Sequence, residues 1–320
     1  MLEHSAADVS LAPGFLKEAL LYQKQKKEAV RCNLCAHRCY IPKGRDGICK
    51  VRQNRVGVLY TLVYDRVISA HIDPIEKKPF FHYLPGTRAF SIATVGCNFH
   101  CRYCQNWEIS QLPRMDSGSI PGKKLSPKEI VDLARETECK SIAYTYTEPT
   151  IFFELAYDTA KLALAAGLKN IFVSNGYMTQ ETLRMIQPYL HAVNIDLKSF
   201  DDKRHRRISG AKLQPVLDSI SLAKRLGIWL EVTTLVVPGH NDSDEELRRM
   251  ANFLNDVDPA IPWHLSAFFP AYKMTDVEPT PRQSLLRAWQ IGKMPGFSTF
   301  TVATFLACTK IQSAINVRKN

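Results

Sequence analysis

A repeated strand–helix unit after about residue 88 constrains the fold of this 320-residue chain more than any other feature. Six short apolar segments, the first of them Phe90–Val95, are each followed by a stretch with helical periodicity. Helices are expected to begin at Ser126 and Ser243, where Ser-x-x-Glu predicts a capping box, and at Thr179. Strands that alternate with helices in this way favour a parallel sheet with right-handed crossovers.

Six units are fewer than the eight that close a TIM barrel. The pattern therefore predicts an α/β fold that is either a partial (β/α)6 barrel of the TIM type or a doubly wound sheet. In both architectures the functional residues lie at the carboxyl ends of the strands. The strand segments after the first are residues 141–146, 170–174, 192–197, 228–236 and 262–267.

Residues 1–87 do not show this alternation of strands and helices and are predicted to form a separate N-terminal module. The module has a basic, helix-like segment from Lys17 to Arg31, then a group of cysteines, then a β-rich segment around Val58–Val63. The strand–helix core is predicted to span residues 88–292. Residues 293–320 form a divergent tail that contains Phe297–Val302 and a lone Cys308.

Seven of the nine cysteines fall in two short windows. The chain has no apolar run near the roughly 20 residues that span a bilayer, and its first residues lack the layout of a secretory signal. We therefore expect a cytoplasmic protein with no membrane contact, and disulfides are rare in that reducing compartment. Closely spaced cysteines in such a protein indicate metal binding.

The second cysteine window follows the first predicted strand. Cys97, Cys101 and Cys104 have C-x3-C-x2-C spacing, which suits three corners of a cuboidal iron-sulfur cluster. With no fourth cysteine in the loop, one iron would stay open for a substrate, as open metal sites do in catalysis. The alternative is a zinc site completed by His100 or by a distant residue.

This loop resembles that of the radical S-adenosylmethionine (SAM) enzymes, and the resemblance covers roughly residues 88–290. It implies a partial barrel of the radical SAM type in which Cys97, Cys101 and Cys104 bind a 4Fe-4S cluster. In that family SAM chelates the fourth iron, and one electron splits it into methionine and a 5′-deoxyadenosyl radical that abstracts a hydrogen atom. Tyr103 matches the aromatic residue near the adenine.

Motifs at later strand ends extend the resemblance toward the glycyl-radical-enzyme activases. They are Tyr146-Thr147-Glu148-Pro149, Ser174-Asn175-Gly176, Asp196-Leu197-Lys198 and Val236-Val237-Pro238-Gly239. The resemblance implies that Glu148 receives the SAM ammonium and that Lys198 meets the SAM carboxylate or ribose side. It also implies cofactor contacts at the residues that complete these motifs, namely Ser174, Asn175, Asp196 and Gly239.

Each motif also has an ordinary structural interpretation. Glu148 would suit the first turn of a helix, Asp196 and Lys198 a surface pair, and Gly239 a turn. Two positions depart from the activase pattern, since Val173 replaces an aspartate and Thr233 replaces a basic residue. Both departures argue against a glycyl-radical enzyme as the substrate.

The first cysteine window, Cys32, Cys35, Cys39 and Cys49, places four thiols and His37 within one short segment. Four thiolates suit either a closed zinc site or a second iron-sulfur cluster. The alternative is a set of buried, reduced structural cysteines. The sequence does not separate these three interpretations.

The whole chain resembles the radical SAM component of the AmmeMemoRadiSam system, a branch similar to the pyruvate formate-lyase activating enzymes. The resemblance rests on residues 32–39, the block Asp73–Pro79, residues 105–107 after the second cysteine window, and residues 144–150. It implies an oxidoreductase that receives electrons from a low-potential donor of the flavodoxin or ferredoxin type. It also implies that a protein substrate or the other components of that system are its partners, while the substrate itself is not given.

A net charge of +11 suits an anionic partner. The competing function is therefore a basic zinc module that binds nucleic acid through the N-terminal cysteines and the basic run Lys203–Arg207. A solvated loop explains that basic run equally well, and nucleic acid is the less favoured partner.

Overall fold

A computed structural model describes residues 16–116, 118–292 and 300–302 of the chain. The N-terminal part contains strands β1 (Lys17–Glu18), β2 (Tyr22–Lys24), β3 (Val30–Cys32), β4 (Tyr40–Ile41), β5 (Arg52–Arg55), β6 (Val58–Thr61), β7 (Arg66–Val67) and β8 (Ser69–Pro74). The core continues with β9 (Arg88–Ala93), α1 (Trp107–Ser110), α2 (Leu112–Met115), β10 (Lys123–Lys124), α3 (Pro127–Glu136), β11 (Ser141–Tyr144), α4 (Phe153–Ala165), β12 (Lys169–Ser174), α5 (Gln180–Ile186) and β13 (Ala192–Asp196). It ends with α6 (Asp202–Ser209), α7 (Gln214–Arg225), β14 (Trp229–Val236), α8 (Asp244–Val257), β15 (Trp263–Ala267), α9 (Arg282–Gly292) and β16 (Phe300–Val302).

The main sheet has eight strands in the order β16-β15-β14-β13-β12-β11-β9-β8. Strand order therefore follows chain order from β9 to β15, apart from the short β10, with every neighbouring pair parallel. A doubly wound sheet would reverse its strand order at a switch point. The predicted partial barrel of six β/α units is confirmed, and the doubly wound alternative is wrong.

Two further strands extend the sheet beyond the six predicted units. Strand β8 pairs antiparallel with β9, and β16 pairs parallel with β15. Strand β16 is the described part of the tail after residue 292, whose remainder, including Cys308, lies outside the described residues.

Two of the predicted helix starts have the expected caps, and the third forms only one of the two hydrogen bonds of a capping box. Ser126 and Glu129 form a complete capping box at α3, and the Thr179 side chain accepts a hydrogen bond from the Thr182 amide at α5. Ser243 caps α8, but the Glu246 carboxylate does not accept the reciprocal hydrogen bond from the Ser243 amide. That carboxylate instead bonds to the loop after β13, so it joins two elements. No helix in the described ranges combines the length and apolarity needed to cross a bilayer.

The predicted helix-like segment from Lys17 to Arg31 is wrong, because this segment forms β1, β2 and part of β3. Strands β2, β3 and β4 form a small antiparallel sheet, while β1 joins β6 and β5 in another. Positive φ angles at Leu21, Lys27 and Glu28 interrupt any helix. Strand pairing has overridden the helical preference of these residues.

The amino end of the barrel is closed by the segment after β8. Ile75 and Phe80 pack on a small cluster formed by one residue from each of four neighbouring strands, which are Ala89, Ala143, Ile171 and Ala192. The Pro79 carbonyl accepts a hydrogen bond from Asn194, and Glu231 accepts from the Phe81 and His82 amides. Because this segment covers the amino end of the barrel, the carboxyl end is the one left open for a functional site.

Candidate active site at the carboxyl ends of the strands

The loop with the three cysteines connects β9 to α1. Cys97 and Cys101 are buried, and Cys104 is half-buried. Gly96, just before the loop, has φ +95°, and a Cβ there would lie 2.7 Å from Val51 Cγ1. Only glycine fits this close contact with the N-terminal module without strain.

The end of α6 and the helices after the loop hold the loop in place. The His100 amide donates to the Ser209 carbonyl (2.8 Å), and the Arg102 amide donates to the Ile208 carbonyl (3.0 Å). Arg114 donates to the carbonyls of Cys97 and Phe99. The loop backbone is therefore fixed by α6 and α2 before any cofactor binds.

Glu148 lies at the end of β11 and organises the turn after β12. Its side chain is buried, and its oxygens accept hydrogen bonds from Ser174 Oγ (2.9 Å), the Asn175 amide (2.8 Å) and the Thr150 amide (3.0 Å). Burial raises the pKa of Glu148, and these donors oppose the rise. The structure thus brings Glu148, Ser174 and Asn175 together as one hydrogen-bonded unit.

Asn175 connects that unit to the cysteine loop. Its Nδ2 donates to Asn98 Oδ1 at 2.8 Å, and Asn98 follows Cys97 directly. Asn98 was not singled out from the sequence, although it stands inside the motif. Because its side chain bridges two strand ends, it sets the position of Cys97 relative to Glu148.

Asp196 and Lys198 form an ion pair at the end of β13, with Lys198 Nζ 2.9 Å from Asp196 Oδ2. The Lys198 side chain is 14% exposed, so the pair is not a freely solvated surface pair. Lys198 Nζ also lies 6.0 Å from the centre of the Tyr103 ring. Burial lowers the pKa of Lys198, but Asp196, Tyr103 and Cys101 together outweigh burial and the net pKa is raised.

Gly239 lies in the turn after β14 with φ +70° and open space where a Cβ would point. Its amide donates to Asp242 Oδ1 at 2.9 Å. Asn241, in the same turn, donates to the carbonyls of Lys198 (2.9 Å) and Leu235 (2.8 Å). Asn241 therefore joins the turn to the Lys198 backbone, a role that the sequence motif did not reveal.

The site contains buried polar atoms that lack partners. Among the described residues, Tyr103 Oη and Asn98 Nδ2 have no hydrogen-bond partner. Burial, followed by the charge of Glu148, raises the pKa of Cys97, and burial raises the pKa of Cys101 to about 12 while Lys198 opposes it. Iron would displace these thiol protons, and a bound cofactor would satisfy the orphaned polar atoms. The donor set of three thiols on one loop fits a 4Fe-4S cluster with one open iron.

The zinc alternative at this loop is not supported. Nowhere in the described part of the chain do three candidate ligand side chains lie close enough to hold one metal ion. The Cβ that would replace a hydrogen of Gly210 lies 2.9 Å from His100 Nδ1, so the His100 ring packs against that glycine. A cluster imposes no such convergence, because each thiolate binds a different iron.

The sequence signature of the Radical SAM superfamily matches residues 91–254, which is half of the chain. The chain belongs to the radical SAM superfamily. The family implies a 4Fe-4S cluster and SAM as cofactors, and it favours the enzyme over the nucleic-acid-binding alternative. In the basic run, His205 is buried and Arg204 and Arg206 pair with Glu246 and Asp202. Much of that run is therefore engaged within the protein.

Individual relatives place the chain near the activating enzymes of this superfamily. It is 43% identical over 293 residues to an uncharacterized protein of Methanocaldococcus jannaschii, with 88% of this chain and 86% of that protein covered. It is 23% identical to the pyruvate formate-lyase-activating enzyme of Clostridium pasteurianum, with 54% of this chain and 71% of that enzyme covered. The narrower assignment to the AmmeMemoRadiSam system stays a prediction.

A solved structure supports the fold. Streptococcus suis SuiB bound to S-adenosylmethionine superposes with a TM-score of 0.52 at 13% identity, covering 64% of this chain and 48% of that chain. At this identity the likeness concerns the fold alone.

The block Asp73–Pro79, noted in the sequence without a role, contacts the strand end that bears Glu148. Asp73 pairs with Lys78 (2.7 Å) and accepts a hydrogen bond from the Tyr146 hydroxyl. Lys78 Nζ lies 3.9 Å from the centre of the Tyr146 ring. Tyr146 has φ +61°, which is costly for a tyrosine. The block thus holds the strained turn just before Glu148.

Proposed function

We propose that this chain cleaves SAM reductively at a 4Fe-4S cluster held by Cys97, Cys101 and Cys104, and abstracts a hydrogen atom from a substrate. When bound, the cluster and SAM supply one electron and the 5′-deoxyadenosyl radical. The observation that supports the proposal best is the set of polar strand ends around the three thiols, linked through Asn98 and Asn175. Family membership supports the same reaction.

The remaining residues have distinct tasks in this proposal. Lys198 donates a charge-assisted hydrogen bond to the SAM carboxylate or ribose side, and Asp196 orients its ammonium group. Tyr103 lies near the adenine, and Gly239 leaves room for the cofactor. Glu148 accepts hydrogen bonds from Ser174 and Asn175 and so fixes the turn that they form. Its negative charge attracts the SAM ammonium group. The buried loop excludes water from the reacting atoms.

A protein is the substrate class that we propose, and a one-electron reductant of the flavodoxin or ferredoxin type is the electron source. The activating enzymes among the relatives support the protein substrate, since their names specify action on another enzyme. The other AmmeMemoRadiSam components are candidates for the protein partner. Val173 and Thr233 line the barrel where activases carry charged residues, and Thr233 donates to Asn194 at 2.9 Å. The protein bound here therefore differs from a glycyl-radical enzyme at its reacting segment.

Deuterium transfer tests this proposal. The reconstituted enzyme is incubated with SAM, dithionite and deuterated host extract that has been split into macromolecular and small-molecule fractions, and the product 5′-deoxyadenosine is analysed by mass spectrometry. We expect deuterium from the macromolecular fraction, and none after that fraction is digested with protease. Deuterium that comes only from the small-molecule fraction would contradict a protein substrate while leaving SAM cleavage intact.

A further inference from the structure

The N-terminal module contains a second group of thiols that the proposed reaction does not use. Cys32, Cys35, Cys39 and Cys49 all line one cavity. Cys32 ends β3, Cys35 and Cys39 lie in the turn between β3 and β4, and Cys49 lies in the loop before β5. All four are free cysteines, and Cys32 and Cys49 are buried. Segments distant from one another in the small sheets thus deliver four sulfur atoms to one enclosed space.

The side chain of Arg52 provides an independent sign of a missing ligand. Arg52 lines the same cavity and its side chain is only 2% exposed. Its Nη atoms bind the Glu154 carboxylate at 2.7 and 2.9 Å. Its Nε–H, however, has no hydrogen-bond partner among the described residues. Leaving a charged group's donor unsatisfied in the interior is costly, so an acceptor is expected in the cavity.

The arrangement does not suit one metal ion. Zinc binds sulfur at about 2.3 Å, so its thiolates must converge on one point. Within the described ranges no three candidate ligands converge in this way, the four N-terminal cysteines included. An iron-sulfur cluster instead gives each thiolate its own iron corner and needs them spread around a larger centre.

We propose that Cys32, Cys35, Cys39 and Cys49 bind a second iron-sulfur cluster, and that the Arg52 Nε–H donates a hydrogen bond to it. This inference goes beyond the SAM reaction, because the site lies in the N-terminal module. Two contacts join it to the cysteine loop. Asn98 lines the cavity and its carbonyl accepts from His37 Nε2 at 2.9 Å. Arg114 donates to the carbonyls of both Ile48 and Cys97.

Metal analysis of three variants tests the proposal. The first variant replaces Cys32 and Cys35 with Ser, the second replaces Cys97, Cys101 and Cys104 with Ala, and the control is Cys139→Ser. Cys139 is a buried cysteine outside both groups. Each full-length protein is reconstituted anaerobically with iron and sulfide, and iron, zinc and acid-labile sulfide are measured together with EPR and circular dichroism.

We expect the triple Ala variant to keep about two to four iron atoms with matching sulfide and an EPR signal that SAM does not change. The Cys32/Cys35 variant should lose the iron and sulfide of the second cluster and keep about four iron atoms, whose EPR signal responds to SAM. The Cys139 variant should match the parent. Loss of all iron from a folded triple variant, stoichiometric zinc, or an unchanged iron content in the Cys32/Cys35 variant would each overturn the second cluster. If the Cys32/Cys35 variant does not fold, the iron content of the triple variant decides alone.

Discussion

Replacing Lys198 with Met should weaken SAM binding strongly while leaving the fold intact. Its side chain is 14% exposed, but the Asp196 side chain that would lose its partner is 36% exposed and can be hydrated by solvent. Losing the pair should therefore cost the fold no more than about 1.5–3 kcal/mol. A charge-assisted hydrogen bond to SAM is worth about 1.5–3 kcal/mol. At 1.4 kcal/mol per tenfold change, the SAM dissociation constant should rise roughly 10- to 100-fold.

The assay is a titration of SAM into reduced, reconstituted protein, followed through the EPR signal of the cluster. The matched control is Lys140→Met, because Lys140 is exposed and lies just before β11, at the opposite end of the barrel. The control removes the same charge and should change SAM affinity by less than about threefold. Wild-type SAM affinity in the Lys198 variant would show that our assignment of the β13 end is incorrect.

Two further predictions concern stability. Glu148→Ala should lower the free energy of unfolding by about 3 kcal/mol or more in chemical denaturation, because several buried donors lose their acceptor; a loss below about 1 kcal/mol would refute its organising role. Burial, opposed by Asp73, lowers the pKa of Lys78 from 10.5 to about 8, so the unfolded chain binds one more proton than the folded chain between these pH values. Unfolding free energy should therefore rise with pH across that window by up to about 1.4 kcal/mol per unit relative to Lys78→Met, and equal slopes in the two proteins would contradict the shifted pKa.

Local sequence signals predicted the core well because they act within one turn or one strand. The Ser126–Glu129 box and the Thr179 cap depend on residues three apart, and both form as expected. Ser243 carried the same signal, yet Glu246 was drawn away by Ser199 and Phe200, which lie over forty residues earlier. A partner so distant in sequence leaves no local pattern.

Long-range pairing explains the remaining errors in the fold. Residues 17–31 have a helix-like composition, but they form strands because Tyr22 pairs with Cys32 and Lys17 pairs with Thr61. Apolar and polar residues do not alternate regularly along β8, and its place at the edge of the main sheet depends on pairing with β9. Hydrophobic periodicity within the segment does not encode such partners.

For the site, the sequence identified the motif residues but not the contacts between them. The Asn98–Asn175 bond joins residues 77 positions apart, and Asn241 reaches back 43 positions to the Lys198 carbonyl. Asn98 stands inside the recognised cysteine motif, and Asn241 lies two residues after the Val236–Gly239 motif. An asparagine in or beside a motif was therefore the only signal that the sequence offered for these contacts. The contact of Asp73 with Tyr146 spans 73 positions and is apparent only in the folded chain.

The most direct test of the central claim is the formation of 5′-deoxyadenosine by anaerobically reconstituted protein supplied with SAM and dithionite. The account predicts product from the parent and from Cys139→Ala, and none above background from Cys101→Ala, because two thiolates on the loop cannot hold the cuboidal cluster. Product from Cys101→Ala at the parent rate, or no product from a parent protein that carries its full iron, would contradict the account.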